Sequence, residues 1–352
     1  MAILSASAFV ITPLAYAATG QWTEYSGNPI VTPTPGGWDS DHTIAPRVIF
    51  DGMIFRMWYV GSHAGTTGIG YANSTDGVIW KKSLNPVMLP GPTGAWDSGQ
   101  VGLGSVLWNG TRFLMWYRGS SPVAFPNGAI GLATSTDGIS WTKYQGNPIL
   151  KPSDIDRKYI ATPFTIRLSN TYNMWYTAKS ADDPDSRQIT RILYATSFDG
   201  IKWFKWPTPV LGPSTNPDAW DSSSVFSPSV LYDGTNFGMW YSGLNQSSVG
   251  PRIGFATSPD GATWSKSSAP LLDLGATGSW DSGGVEQPSI LIGYGYMLYY
   301  DGFSSNTGGI GLARAPQGFS IPEFPIPTTG ILLVGVVFVA TYLTRRRRKS
   351  RD

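Results

Sequence analysis

A segment of 58 to 65 residues is written five times through the body of this chain, and any fold must accommodate that count. Trp-Asp-Ser opens it at Trp38, Trp96, Trp220 and Trp280, and Ile155-Asp156 takes the slot in the third copy. Each copy continues with an apolar run. Met-Trp-Tyr follows at Met57, Met115, Met174 and Met239, then Ile-Gly-x-Ala at Ile69, Ile130, Ile253 and Ile310, with Ile192-Leu193 in copy three. Ser-x-Asp-Gly-x-x-Trp closes the copies at Asp76 to Trp80, Asp137 to Trp141, Asp199 to Trp203 and Asp260 to Trp264. A repeat of this period signals an array of one supersecondary unit rather than an assortment of domains.

Within each copy, four short apolar or alternating runs are separated by Gly, Pro, Asn and Asp, the signature of strands and turns. Asp51-Gly52 and Asp233-Gly234 separate the first two runs, and Asp76-Gly77 and its counterparts separate the third from the fourth. Both residues of Asp-Gly tolerate positive φ, which suits tight hairpins. Four antiparallel strands repeated radially predict an all-β, five-bladed propeller. The fifth copy stops at Gln317-Gly318-Phe319 without its last strand. That strand stands at the other end of the chain, where Trp22 to Pro29 matches Trp141 to Pro148 in spacing. An N-terminal strand completing the last blade would close the ring and remove exposed sheet edges. Propeller residues are expected over 18–320, and their recurring Trp, Tyr, Asp and Gly read as structural, since a residue needed once for chemistry has no reason to recur.

The two ends give an expected address. Residues 1–17 are small and apolar and end Ala15-Tyr16-Ala17, the pattern of a signal peptide. In 321–352, Pro322-Glu323-Phe324 precedes an apolar run that is followed by Arg345 to Lys349. That run, 328–344, has the minimum length for a transmembrane helix, with the basic cluster at its cytoplasmic end. This order resembles the PEF-type C-terminal sorting signal of archaeal surface proteins. The resemblance implies processing by an archaeosortase-like enzyme and a membrane-anchored, extracellular propeller; an ordinary membrane anchor is the alternative. Formal charge is +2, but 345–352 carry six cations and one anion, so the body is mildly acidic. Nucleic acid is disfavoured as a partner, because phosphate binding needs concentrated Lys and Arg. Cysteine is absent, which excludes disulfides, thiolate metal sites and a thiol nucleophile. Asn73, Asn109 and Asn245 lie in N-x-S/T sequons.

Departures from the repeat are expected to gather at one mouth of the ring. Between the Trp-Asp-Ser slot and the following Pro stand Asp41-His42, Gln100, Arg157-Lys158-Tyr159 and Glu286-Gln287-Pro288. After Met-Trp-Tyr, or its blade-five equivalent, come Val60, Arg118, Thr177, Ser242 and Asp301. His42 and His63 are the chain's two histidines, and the insertion 180–188 falls on the same face. Of three glutamates, Glu286 alone replaces an apolar or small residue of the repeat (Ile44, Gly102, Ala161, Phe226). A carboxyl there would be partly desolvated, which raises its pKa and suits a general acid.

On these residues, 20–320 resembles the arabinanase, β-xylosidase and invertase superfamily and the related mannoside phosphorylases. The Glu286-Gln287-Pro288 run matches the E-x-P form of that superfamily's general acid. Its general base, an Asp before Pro on the first inner strand, is replaced by Ala45 before Pro46, which makes Asp41 the nearest substitute. The resemblance implies Glu286, Asp41 and Asp301 as catalytic candidates, and His42, Gln100, Arg118, Lys158 and Tyr159 as substrate-binding ones. Arg118 and Lys158 suit an acidic sugar or phosphate. No cofactor is expected; a structural cation in the central channel, with His42 near it, is the one ion the resemblance allows. Two functions stand open: a surface glycosidase or glycan phosphorylase, and a non-catalytic propeller that binds glycans or proteins.

Overall fold

The computed structural model describes residues 22–315, apart from 124, 154, 157, 158, 180–188, 247–249, 294, 306 and 307, and apart from the side chains of 125–127 and 293. The leader, the sorting motif, the apolar tail, Lys158 and the 180–188 insertion lie outside the described residues.

Five four-stranded antiparallel sheets make up the fold. Blade one comprises β2 (His42–Phe50), β3 (Phe55–His63), β4 (Thr66–Ser74) and β5 (Lys81–Lys82). Blade two comprises β6 (Gln100–Trp108), β7 (Phe113–Ser121), β8 (Phe125–Ser135) and β9 (Thr142–Lys143). Blade three runs β10 (Ile160–Leu168), β11 (Thr171–Lys179), β12 (Thr190–Ser197) and β13 (Phe204–Lys205). Blade four runs β14 (Ser224–Tyr232), β15 (Phe237–Leu244), β16 (Arg252–Ser258) and β17 (Ser265–Lys266). Blade five takes β18 (Gly284–Gly293), β19 (Gly295–Phe303) and β20 (Gly308–Arg314), and its fourth strand is β1 (Thr23–Glu24). The first strand of each blade packs against the first strands of both neighbours, in the cycle β2, β6, β10, β14, β18 and back to β2. The ring therefore has five sectors, with the first strands innermost.

Closure follows the expected strand. Thr23 pairs with Arg314 and Glu24 with Ala313. Asn28 receives the Leu312 N–H and donates back to its carbonyl, as Asn147 does with Leu132 in blade two.

The recurring residues rivet the blades internally and to one another. The Trp of the Trp-Asp slot lies against the Tyr of its own blade, as in Trp38–Tyr59 at 5.8 Å and Trp220–Tyr241 at 5.6 Å between ring centroids. The Asp beside it accepts that Tyr hydroxyl and a fourth-strand Lys, so Asp39 holds Tyr59 (2.9 Å) and Lys82 (2.6 Å). Asp97, Asp156 and Asp221 do the same with Tyr117 and Lys143, Tyr176 and Lys205, and Tyr241 and Lys266. Asp156 thus fills the slot where the motif's Trp is missing.

Between blades, the Met-Trp-Tyr indole donates to the Asp-Gly turn of the next blade: Trp58 to Gly138 (2.8 Å), Trp116 to Gly200 (3.0 Å) and Trp175 to Gly261 (2.8 Å). Each of these glycines has positive φ, which leaves its carbonyl free to face the indole. These tryptophans are fully buried. Each removes ~150–250 Å² from water, roughly 4–6 kcal/mol at about 25 cal/mol per Å² before ordering entropy.

Candidate functional site

Each inner strand breaks its ladder at the same level. The register shifts between Ile44 and Arg47, Leu103 and Ser105, Ala161 and Phe164, Phe226 and Ser229, and Glu286 and Ser289. At four of these bulges a non-glycine residue before Pro has positive φ: Ala45 (56°), Thr162 (43°), Ser227 (51°) and Gln287 (53°). This conformation costs of order 1–3 kcal/mol each and needs support from its surroundings. The support comes from the preceding blade, at the position after Met-Trp-Tyr. Thr177 Oγ1 accepts the Ser227 N–H (2.8 Å), and Ser242 Oγ accepts the Gln287 N–H (2.9 Å). Asp301 Oδ1 accepts the Ala45 N–H at 2.6 Å.

A hydroxyl suffices for this cap in two blades, whereas blade five supplies a carboxylic acid. Asp301 is 1% exposed, and its Oδ2 has no hydrogen-bond partner among the described residues. Directly across the ladder stands Glu286. Burial, then the neighbouring Glu286 charge, raises the Asp301 pKa well above the usual carboxylate range. Glu286 is raised by burial too, with a small opposing contribution from Gln287. It keeps partial exposure, so of the two it is the one a ligand can touch. Both carboxyls therefore hold their protons above the ordinary carboxylate range, Asp301 the more strongly of the two.

Beneath them lies Arg47, 3% exposed, a residue that sequence reasoning passed over. Its Nη1 donates to the carbonyls of Pro46 (2.7 Å) and Pro288 (3.1 Å), tying the bulges of blades one and five. Its guanidinium also stands over the Phe164 ring of blade three, 5.8 Å from the centroid. Nε and Nη2 have no partner among the described residues. Desolvation lowers its pKa to about 10, and the Asp301 charge opposes that fall. The corresponding residues elsewhere are Ser105, Phe164, Ser229 and Ser289, so one charge among small or apolar residues was the available signal.

The remaining candidates form separate groups around the same strand ends. Arg118 lies over the Tyr159 ring at 5.4 Å, and Lys179 approaches the same ring at 5.7 Å, making a basic spot between blades two and three. A Cβ on Gly128 would stand 2.6 Å from Arg118 Nε, so glycine leaves room for the guanidinium. His42 and Gln100 are exposed first residues of β2 and β6. Asp41 is engaged locally: its Oδ2 accepts the Ala64 N–H (2.8 Å), and Oδ1 lies 3.3 Å from Ser40 Oγ and 3.7 Å from His63 Nδ1. The structure therefore joins Glu286, Asp301 and Arg47 in one cluster, and Asp41 with Ser40 and His63 in another. No group of three or more His, Cys, Asp or Glu suited to a metal occurs among the described residues. An open cleft lined by Trp96, Trp141 and Tyr144 at blade two contains none of these groups.

This architecture is a five-bladed β-propeller of the kind found in glycoside hydrolases and mannoside phosphorylases. A structure described as a glycoside hydrolase superposes with a TM-score of 0.69 at 19% identity, over 90% of this chain and 97% of that one. A β-1,2-mannobiose phosphorylase from Listeria innocua, in complex with β-1,2-mannobiose, gives a TM-score of 0.63 at 14% identity, over 84% of this chain and 96% of that one. By sequence, an uncharacterized protein of Mycobacterium tuberculosis is 29% identical over 290 residues, 78% of this chain and 93% of that protein. No family model matches the chain.

Proposed function

We propose that this chain is a carbohydrate-active propeller in which Glu286 protonates a leaving glycosidic oxygen. The observation that carries the reading is the desolvated Glu286–Asp301 pair, set at the bulge of the inner strand over Arg47. As the C–O bond breaks, the proton passes from Glu286 to the departing oxygen, and a nucleophile takes the anomeric carbon. Asp301 is a positioning residue, pinned to Ala45 and sealed from substrate, while burial keeps the proton on Glu286. Water as nucleophile needs a second carboxylate, the role assigned to Asp41. Inorganic phosphate arrives ionised and needs no base; the Arg118–Tyr159 spot suits its charge. The likeness to a mannobiose phosphorylase supports trying phosphate. The signal-like leader and the PEF-type tail support an extracellular, membrane-anchored setting, which protease shaving of intact cells tests.

The test is turnover of aryl-glycosides and mannose-containing oligosaccharides, with and without phosphate. Glu286→Gln is expected to lower kcat by ~10²–10⁴-fold with the fold retained. Ala45 before Pro46, where the resemblance expects an acid, favours a second reading: a glycan-binding propeller without catalysis. Saturable glycan binding by a wild-type protein that turns over nothing on the panel would establish it.

A further inference from the structure

The fourth strand carries a lysine at one position in four blades: Lys82, Lys143, Lys205 and Lys266. Each ammonium reaches the Oδ2 of the Trp-Asp aspartate and the backbone carbonyl of the residue directly before a linker proline. Those carbonyls belong to Thr32, Leu89, Lys151 and Gly212. Each of the four follows the residue that bridges to the third strand of a neighbouring blade: Val31, Met88, Leu150 and Leu211. In blade five the same bridge is made by Leu272, so the equivalent carbonyl is that of Asp273. The aspartate is Asp281, 1% exposed.

The strand position, however, is Glu24, one residue after Thr23, in β1. A carboxylate stands where four lysines stand elsewhere. Asp281 Oδ1 is occupied by Ser279 Oγ at 2.7 Å, as Asp156 Oδ1 is by Ser153. Its Oδ2, the atom that takes the lysine and tyrosine in the other blades, is buried and without a hydrogen-bond partner among the described residues. Glu24 reaches both Asp281 and the Tyr300 hydroxyl. No Lys or Arg among the described residues forms an ion pair with either acid. The nearby Arg252 is committed to the Asp273 carboxylate. The slot thus brings together two acids and a phenol, whose oxygen also accepts the Asn28 amide N–H at 3.2 Å, at the point where the chain's first strand closes the ring.

We infer that a calcium-type divalent cation takes the place of the missing lysine ammonium, held by Glu24, Asp281 Oδ2 and the Asp273 carbonyl and completed by water. Hard oxygen ligands of mixed type and unforced geometry suit calcium better than magnesium, which demands near-ideal octahedra. Glu24 keeps an exposed side, which admits the ion and its waters. With two carboxylates and no dedicated loop, the dissociation constant belongs with extracellular modules, ~10⁻⁴–10⁻³ M. The ion would fasten the one blade whose strands come from both ends of the propeller.

The experiment is thermal unfolding of the full-length chain at neutral pH in EDTA and across a calcium chloride titration, with Glu24→Lys and Glu24→Gln beside wild type. Wild type is expected to show a saturable rise in Tm. Glu24→Lys restores the residue of the other four blades; it should match calcium-loaded wild type in EDTA and show no calcium response. Glu24→Gln should also lose the response, and its near-isosteric side chain guards against a folding failure. Terbium added as a calcium probe should luminesce through Tyr300 and Trp280, whose rings lie 5.8 Å apart, in wild type alone. A wild-type Tm indifferent to calcium overturns the assignment. So does a calcium response that survives Glu24→Lys. A Tm that ignores calcium yet climbs on acidification would leave a proton shared between Glu24 and Asp281 instead.

Discussion

Asp301 does two jobs that the other blades keep apart. As a cap it replaces the hydroxyls of Thr177 and Ser242; as an acid it holds its own proton above the usual carboxylate range, through burial and the neighbouring Glu286 charge. The jobs are separable by substitution. Asp301→Asn can still accept the Ala45 N–H and should unfold close to wild type. Because burial rather than Asp301 raises Glu286, the alkaline limb of kcat/KM should stay in place in this variant. Asp301→Ala leaves the Ala45 N–H buried and unpaired, and denaturant titration should show a loss of ~1–3 kcal/mol. Glu286 was legible in the sequence because it broke a five-fold pattern. Arg47 broke the same pattern three residues after Ile44, but its meaning depends on which carbonyls it reaches, and those belong to blades one and five. The strained residue before Pro was not legible, since residues in that position ordinarily adopt extended backbone.

At the scale of the element, the strands, their order and the borrowed β1 were legible because turn residues and apolar runs recur in step. Contacts between repeats were not: a motif shows that Trp58 and Gly138 recur, but nothing in it says that one donates to the other across a blade boundary. The closing blade exposes the rule by breaking it. Its third and fourth strands come from opposite ends of the propeller, so it has no Asp-Gly hairpin. Trp240 of blade four accordingly has an indole N–H without a partner among the described residues, and Trp22 packs edge-on to it at 6.5 Å. Equilibrium unfolding should therefore distinguish two similar changes. Trp116→Phe loses a buried hydrogen bond to Gly200, whose carbonyl then keeps only the Trp203 indole N–H at 3.2 Å, whereas Trp240→Phe loses no such bond. The first should cost ~1 kcal/mol more than the second; equal costs would mean the cross-blade bonds add nothing.

For the whole molecule, the carboxyl groups that depart from their ordinary pKa include two populations whose effects on stability oppose each other. Turn aspartates form the first. Successive backbone N–H groups hold Asp260 down to about 2 and Asp137 lower still, and Asp76 is lowered by the Ile79 and Val78 N–H groups. A depressed pKa contributes stability above the unfolded value, near 4, and that contribution is lost as pH falls through the folded one. The second population is Glu24, Glu286 and Asp301, all raised chiefly by burial. For these the sign reverses: the unfolded chain ionises first, so stability declines as pH rises from about 4.5 toward the raised values. The two slopes meet near the ordinary carboxyl range, and Tm should peak in mildly acidic buffer rather than at neutrality. The branches have different owners, which makes the profile diagnostic. Combining Glu286→Gln with Asp301→Asn should flatten the neutral side and leave the acid side in place. Calcium, if it binds Glu24 and Asp281, should lift the neutral side of the wild-type curve and leave the acid side unmoved, because protons displace it there. A Tm that keeps rising to pH 8 in EDTA would contradict the upward shift of these three acids.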